Sequence, residues 1–412
     1  IKEIRDGDKV IARGTTEGLK VVQNLLPDVE ARNKQIKKIA EKEIGAINYK
    51  LERVRLKLKK LALEGVTKGA NVDALNQEIP EWQSQYNTLE KKLHELRSSQ
   101  TVKIVFQTVE GREKPLALSQ VLDIYNPNPF SLLDKIGHFI KRAYNFFWDD
   151  PREANTEGGV FPAIFGTVLM VLMMSLLATP LGVLAAFYLR EYARQGTMIS
   201  IVRISANNLA GVPSIVFGVF GVGFFIYFIG GSIDQMFFPE ALPSPTFGTG
   251  GILWASLTMA LLTVPVVIVS TEEGLAAVPK GIREASIALG ATQFETIWRV
   301  VLPAVMPSIL TGLILAMARA AGEVAPLMIT GVVKLAPSLP IDGLWPFIHL
   351  ERKFMHLGFH IYDVGFQSPN VDAARPMVFA TTLLLILMVI ILNMAAIFLR
   401  NRLRKQLTAS AV

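Results

Sequence analysis

The 412-residue chain is 51% hydrophobic, balances 42 Lys and Arg against 35 Asp and Glu for a net charge of +7, and contains no cysteine. Disulfides, thiol catalysis and thiolate metal sites are therefore excluded. The basic residues are spread over tail, loops and polar segments instead of one surface interleaved with aromatics, so no nucleic-acid partner is expected.

The polar N-terminal third reads as one domain over residues 1–129. Residues 1–28 look like the edge of a larger unit, with a short strand from Lys9 to Ala12 and a turn at Arg13-Gly14. From Asn33 onward, Ala40, Ile44, Ile47, Leu51, Val54, Leu58 and Leu61 alternate spacings of four and three, the a/d pattern of a coiled coil. Gly65 to Asn71 breaks this run, and Trp82, Tyr86, Leu89, Leu93 and Leu96 repeat it, so an antiparallel helical hairpin is predicted over about 33–100. Val102, Ile104 and Phe106 alternate with Lys103, Val105 and Gln107 in a strand running from Thr101 to Val109. Glu110-Gly111-Arg112 then turns the chain toward a return strand at Leu116 to Leu118. The hairpin reads either as packed scaffold or as a platform for a partner outside the cytoplasm.

Residues 130–158 form a linker with an amphipathic helix. Phe130, Leu133, Ile136, Ile140, Tyr144 and Phe147 fall to one side, Lys135, Lys141 and Arg142 to another, and the terminal aromatics suit the headgroup level of a membrane. This helix is expected to lie on the membrane surface.

The remainder, 159–405, reads as a transmembrane domain. The runs 161–189, 204–233, 241–270 and 376–399 contain no Asp, Glu, Lys or Arg, and each is long enough to cross a bilayer as a helix. A fifth, 308–333, is interrupted only by Arg319 and Glu323. Glycines at 218–231 suit close helix contact. The basic tail around Arg400, Arg402, Arg404 and Lys405 and the loop with Arg190, Arg194 and Arg203 both read as cytoplasmic. Threading the spans between them leaves residues 1–158 outside the cytoplasm. Residue 1 is Ile and no apolar span precedes the external region, so the chain is expected to be a fragment whose first membrane helix lies upstream, for six in all.

The polar stretch 271–303 lies between two spans on the cytoplasmic side. Pro279 and Gly281 break the preceding helix, about two helical turns follow to Leu289, and Gly290 suits the helix end. Thr292 with Glu295 three residues on forms a capping-box pattern for a second short helix, and Pro303 and Pro307 are expected to disrupt regular helix again.

An Arg inside an apolar helix costs about 2.5–3.5 kcal/mol on insertion scales, which makes Arg319 the most informative single residue. Glu323 is four residues on, the spacing of two positions on one helix face, so the pair reads either as a structural ion pair or as a cationic site for an anion, oriented by Glu323. His349, His356 and His360 lack the carboxylate of an HExxH pattern and read as scattered surface histidines, so no metal site is expected. No phosphate-binding loop ending in GK[ST] occurs, and no nucleophile–base arrangement suggests an enzyme.

Glu284-Ala285-Ser286, Gly290, Val300 and Leu302-Pro303 resemble the EAA loop of ABC-transporter permeases, with Ser286 and Val300 as small departures. The segment from Ala316 to Leu327, the run from Asn207 to Gly218, and Gly159 to Ile164 resemble the PstA-type permeases of bacterial phosphate importers. The resemblance covers about 158–404. It implies an all-α polytopic ABC-importer permease fold in the bacterial inner membrane; it does not cover residues 1–150, so the coiled-coil/α+β region reads as an insertion outside the cytoplasm after the missing first helix. It implies Arg319 and Glu323 on the substrate path, and Arg283, Glu284, Ala285, Ser286 and Gly290 in coupling to the ATPase. Arg283 is also implicated with substrate in the family. Val324 stands where the family commonly has Thr. The implied partners are a PstC-like permease, a PstB-like ATPase dimer that binds ATP and Mg, and a PstS-like phosphate-binding protein, with no cofactor in this chain. Another oxyanion such as molybdate or sulfate, or a membrane scaffold in phosphate signalling, are the competing readings.

Overall fold

Two short strands, β1 (Glu3–Asp6) and β2 (Lys9–Arg13), form a hairpin at the start of the chain. The alternating run beyond residue 101 forms β3 (Val102–Gln107), which returns as β4 (Glu113–Ala117). These build one antiparallel sheet in the order β2-β1-β3-β4, with Ile4 opposite Ile104 and Ile104 opposite Leu116. In this computed structural model residues 1–409 are described, except Asp8, Val109, Pro127, Glu153, Ala154 and Asn370. Val109, where the β3 strand was expected to end, thus lies outside the described residues.

One face of the sheet packs on α1 (Thr15–Lys37), burying Ile4, Ala12, Val22, Ile104 and Leu118 together. That contact explains why helix begins at Thr15 and not near Asn33: the first turns are apolar toward the sheet, not toward a partner helix. A π-helical turn, Lys38–Glu43, joins α1 to α2 (Ile44–Leu63), and α3 (Ala70–Ser98) returns beside α2. Ile47, Leu51 and Val54, spaced four and three apart, are the buried positions of α2. Lys50 stacks over the Trp82 ring of α3 at 4.1 Å. The Asn33 side chain donates to the Ser119 carbonyl at 2.9 Å and accepts from Gln100 at 2.8 Å, tying the helices to the sheet. The chain divides into compact units Ile1–Ile140 and Lys141–Val412, and the boundary falls within α4 (Leu132–Trp148).

Among the described residues the second unit is mainly helical, with the two-residue strands β5 (Pro151–Arg152) and β6 (Glu157–Gly158) and isolated bridges at Val332–Phe354 and Ile341–Ile348. It runs through α5 (Phe161–Phe187), α6 (Thr197–Leu209), α7 (Ser214–Phe220), α8 (Gly231–Phe237), α9 (Ile252–Ala277), α10 (Lys280–Ala288), α11 (Gln293–Thr296), α12 (Leu302–Gly322), α13 (Ala325–Thr330), α14 (Leu357–Tyr362) and α15 (Val371–Ala409). Among the described residues, five continuous helical stretches are long and apolar enough to cross a membrane: Phe161–Tyr192, Ser214–Phe237, Ile252–Ala277, Gln293–Gly322 and Val371–Arg402. Of these α9 is the most enclosed, packed between α5 and α12. Met170, Met174, Met259, Leu262, Met317 and Ala320 form the main core there.

The second, third and fourth spans depart most from the apolar runs that mark them in the sequence. The run 204–233 is cut, because Pro213 has no N–H to donate and disfavours helix at Val212. α6 ends at Leu209 and the span restarts at Ser214. The third span continues past Ser270 to Ala277, since Thr271 is buried and Glu272 is neutralised by Arg203 at 3.1 Å. The fourth starts at Gln293, well before Ser308. A π-turn at Ile297–Val301 absorbs the bond that Pro303 cannot make, and Pro307 is carried inside α12, so the prolines do not end the helix. The glycine run provides close contact where it was expected. A β-carbon at Gly221 would overlap Thr258 Oγ1 of α9.

Candidate functional site

α12 stops at Gly322, and Glu323 has extended backbone angles, φ −80° and ψ 135°. Glu323 is therefore not on the helix face that the four-residue spacing suggested. It lies just past the helix end and turns back on Arg319, in the last turn, with Nε to Oε1 at 3.6 Å. The chain re-enters helix as α13 two residues later, with Val324 at its N-cap position. A polar pair at an interrupted membrane helix is placed where freed backbone and charge can meet a substrate instead of lipid.

The second interruption, between α6 and α7, meets the first. Val212 packs against the core that contains Met317, Ala320, Ala321 and Leu327, and α7 lies on α13 so closely that a β-carbon at Gly218 would stand 2.7 Å from Pro326 Cα. Ala320 and Ala321 share that core with Met259 and Leu262, seven and ten residues into α9. At 1.5 Å per residue this is roughly 10–15 Å from the start of α9, well inside the apolar layer. The side chains of Arg319 and Glu323 are still 34% and 24% exposed, so both remain reachable. Among the described residues Glu323 is the one ion-pair partner of Arg319. The two approach at Nε, at ion-pair and not hydrogen-bond distance.

The polar stretch after α9 forms two short helices at a corner. Gly290, past the end of α10, takes φ +88°, a left-handed conformation that a side chain would resist. Thr292 caps α11 in a complete capping box: its hydroxyl accepts from the Glu295 N–H at 3.2 Å, and the Glu295 carboxylate accepts from the Thr292 N–H at 2.9 Å. Glu284, Ala285 and Gly290 are exposed, as are the apolar Ile282, Ile287, Leu289, Phe294 and Trp298. No residue of α10 is buried.

Arg283 points the other way. It donates to the carbonyls of Leu275 and Val278, at 2.9 and 2.7 Å, and to Glu191 Oε1 at 2.8 Å. One guanidinium thus closes the C-terminal end of α9 and ties it to the end of the first span. Ser286 Oγ pairs with Thr296 Oγ1 at 2.9 Å, joining α10 to α11, and Gln293 donates to the Glu191 carbonyl at 3.0 Å. Arg283 is far from the Arg319 level, because Leu275 lies 13–16 residues beyond Leu262 and Met259 on α9, about 20–24 Å. The structure therefore brings together Arg319 with Glu323, and Arg283 and Ser286 with Glu191 and Thr296, but not the two groups with each other. Glu191, Thr296 and the Arg203–Glu272 pair were missed in the sequence. The one signal for Glu191 was a carboxylate beside Arg190 at the end of a span.

The histidines are buried, not on the surface. His349 lies between Asp342 and Glu351, with ring nitrogens 3.1 and 3.2 Å from their carboxylates. His356 accepts from the Gly358 N–H at 3.1 Å, and its burial lowers its pKa to about 3. Burial likewise lowers His360 to about 4, with Asp363 raising and Lys334 lowering it further as smaller influences. Among the described residues no group of three or more His, Asp or Glu side chains is placed to hold a metal ion.

Residues 178–408 match the family model described as binding-protein-dependent transport system inner membrane component. The probable ABC transporter permease protein YqgI of Bacillus subtilis is 30% identical over 61% of this chain and 81% of its own length. The phosphate transport system permease protein PstA 1 of Mycobacterium tuberculosis strain CDC 1551 is 34% identical over 59% of this chain and 71% of its own. Among solved structures, a bacterial ABC transporter involved in the import of the acidic polysaccharide alginate aligns with a TM-score of 0.45 and 13% identity, over 67% of this chain and 85% of that one.

Proposed function

Because the chain belongs to the family of binding-protein-dependent transport system inner membrane components, a multi-pass ABC importer permease, we propose that it carries inorganic phosphate inward by alternating access. The observation that supports this reading most is the Arg319–Glu323 pair at the interruption of α12, deep in the apolar layer and still reachable. Arg319 supplies a fixed positive charge and a fork of donors to a tetrahedral oxyanion. Glu323 holds the fork in place and, as a like charge to the anion, limits how tightly the ion is retained, which release requires.

ATP, with Mg, is hydrolysed by a PstB-like partner dimer that receives α10 and α11. The exposed face with Glu284, Ala285 and Gly290 carries the contact, while Arg283 and Ser286 brace it from behind, so that displacement of the corner is transmitted to α9 and to the first span. A PstC-like permease completes the pathway, and a PstS-like binding protein delivers phosphate from the extracytoplasmic side and supplies most of the selectivity.

The test is ATP-driven uptake of radiolabelled phosphate by the subunit reconstituted with these partners, with sulfate and molybdate as competitors. Phosphate-selective uptake that Arg319→Gln abolishes, with assembly intact, is expected. Uptake unaffected by the substitution reduces the pair to a structural tie, and competition by sulfate or molybdate as strong as by phosphate reassigns the cargo.

A further inference from the structure

We infer that α4 is a lipid-binding interfacial helix, its apolar arc sunk into the acyl boundary of the membrane and its bordering cations set among anionic headgroups; this rests on membrane residence and not on which ion is carried. The sequence pattern alone allows another outcome, in which the apolar side of α4 is covered by its own chain. The structure leaves that side bare. No residue of α4 is buried, and Leu132, Leu133 and Phe139 are 74%, 79% and 72% exposed. Ile136, Ile140, Tyr144 and Trp148 are exposed as well.

At about 100° per residue, the apolar side chains from Leu132 to Trp148 sweep an arc of about 200°, far wider than the stripe of an ordinary surface helix. The remaining arc holds Asp134, His138 and Asn145 at its centre. Lys141 stands at one border, next to Trp148, and Lys135 and Arg142 stand at the other, next to Phe146 and Phe139. Cations at both borders of an apolar face can lay their stems along it and raise their charges to phosphate groups.

On the polar side the chain meets α4 at His138, while Asp134 and Asn145 stay exposed. His138, in the middle of that arc, stacks against Tyr125 at 4.2 Å and Phe130 at 5.8 Å. A helix in water would pack its apolar side; α4 leaves that side bare, which suits a helix whose apolar side has hydrocarbon as its solvent.

Continuity identifies the occupant as the bilayer. The C-terminal turn of α4 is joined to the start of the first span: Val160 donates to the Phe146 carbonyl at 2.9 Å, and Trp148 stacks on Phe161 at 5.5 Å. A β-carbon at Gly159 would collide with the backbone of Asp149 and Asn145, so the two chain segments touch at that point. The end of α4 is thereby held where α5 begins its span, and Leu172 and Leu176 of α5 are exposed in turn.

The chain has no cysteine, so single cysteines can be labelled in the full-length protein without background. Nitroxide labels at Leu133→Cys, Ile136→Cys, Phe139→Cys and Ile140→Cys, and at Asp134→Cys and Asn145→Cys, are examined in vesicles of three parts phosphatidylethanolamine to one part phosphatidylglycerol. Collision with oxygen is compared with collision with a water-soluble nickel chelate. The inference expects oxygen to dominate at the first four sites and the chelate at the last two. Equal chelate access at all six overturns it, and so does exclusion of both reagents from the first four, which would show a protein covering the face. These sites are exposed, so folding is retained. As a second readout, Trp148 emission is followed in a variant whose other tryptophans are Phe. Bromine on the upper acyl chain should quench it, and unaltered emission also overturns the inference.

Discussion

If Arg283 is a brace behind the coupling corner, its removal should uncouple the corner mechanically without touching either the substrate level or the docking face. Arg283→Ala deletes three charge-assisted hydrogen bonds and leaves the Glu191 carboxylate, only 13% exposed, without its cation. Breaking such a pair from one side costs about 3–5 kcal/mol when it is buried, and partial exposure here brings the expectation to roughly 2–3 kcal/mol. Arg283→Lys should recover only part of this, since a single ammonium cannot reach three acceptors as a planar fork does. The assay is a double-mutant cycle with Glu191→Gln, read as thermal unfolding of the purified protein in detergent and as phosphate uptake per ATP in the reconstituted importer. A coupling energy of about 1–2 kcal/mol is expected, together with ATP hydrolysis that persists while uptake falls. Additive effects of the two substitutions, or an Arg283→Ala protein that unfolds at the wild-type temperature, would refute the brace.

Gly218→Leu should force α7 away from α13, because even the first added carbon stands 2.7 Å from Pro326 backbone; overpacking of this kind costs about 1–3 kcal/mol, and uptake should fall more than complex assembly does. Buried His356 and His360 carry pKa values lowered to about 3 and about 4, so in the neutral range both are uncharged in the fold. Below their ordinary value of about 6.5 the unfolded chain takes up protons that the folded chain refuses, so stability should be full above that pH and decline as pH falls toward 4. Unfolding temperature measured from pH 7.5 to 4.5 should show this slope, and His360→Phe should flatten it; a slope unchanged in the variant would place the acid sensitivity elsewhere.

Local features of the two-helix corner after α9 were legible because they depend on neighbours in the chain. The Thr292–Glu295 box, the left-handed Gly290 and the short helix between Pro279 and Leu289 each rest on contacts within a few residues. The spacing of Ile47, Leu51 and Val54 likewise announced which face of α2 would be buried. The ends of the membrane helices were less legible, since absence of charge is a poor marker where a tertiary partner neutralises one. Glu272 continues α9 only because Arg203, 69 residues earlier, comes to meet it.

The candidate site shows the same division. Arg319 and Glu323 stand out in the sequence because charge in an apolar segment is costly wherever it falls. Their four-residue spacing suggested one helix face, yet α12 ends between them and the pair forms across the break. That Arg283 serves Glu191 and the end of α9, and that the histidines are enclosed, rests on contacts between residues far apart in sequence or on burial that composition does not reveal.

By itself, then, the sequence determined the membrane class, the number of spans, the capped corner and the identity of the charged pair, all set by hydrophobic length, local backbone preference and the cost of charge in hydrocarbon. Only the tertiary structure decided where the helices break, which carboxylate each arginine meets, and which side of α4 stays bare. Those outcomes depend on which distant surfaces come within a few ångströms of each other, and no periodicity along a single chain encodes that distance.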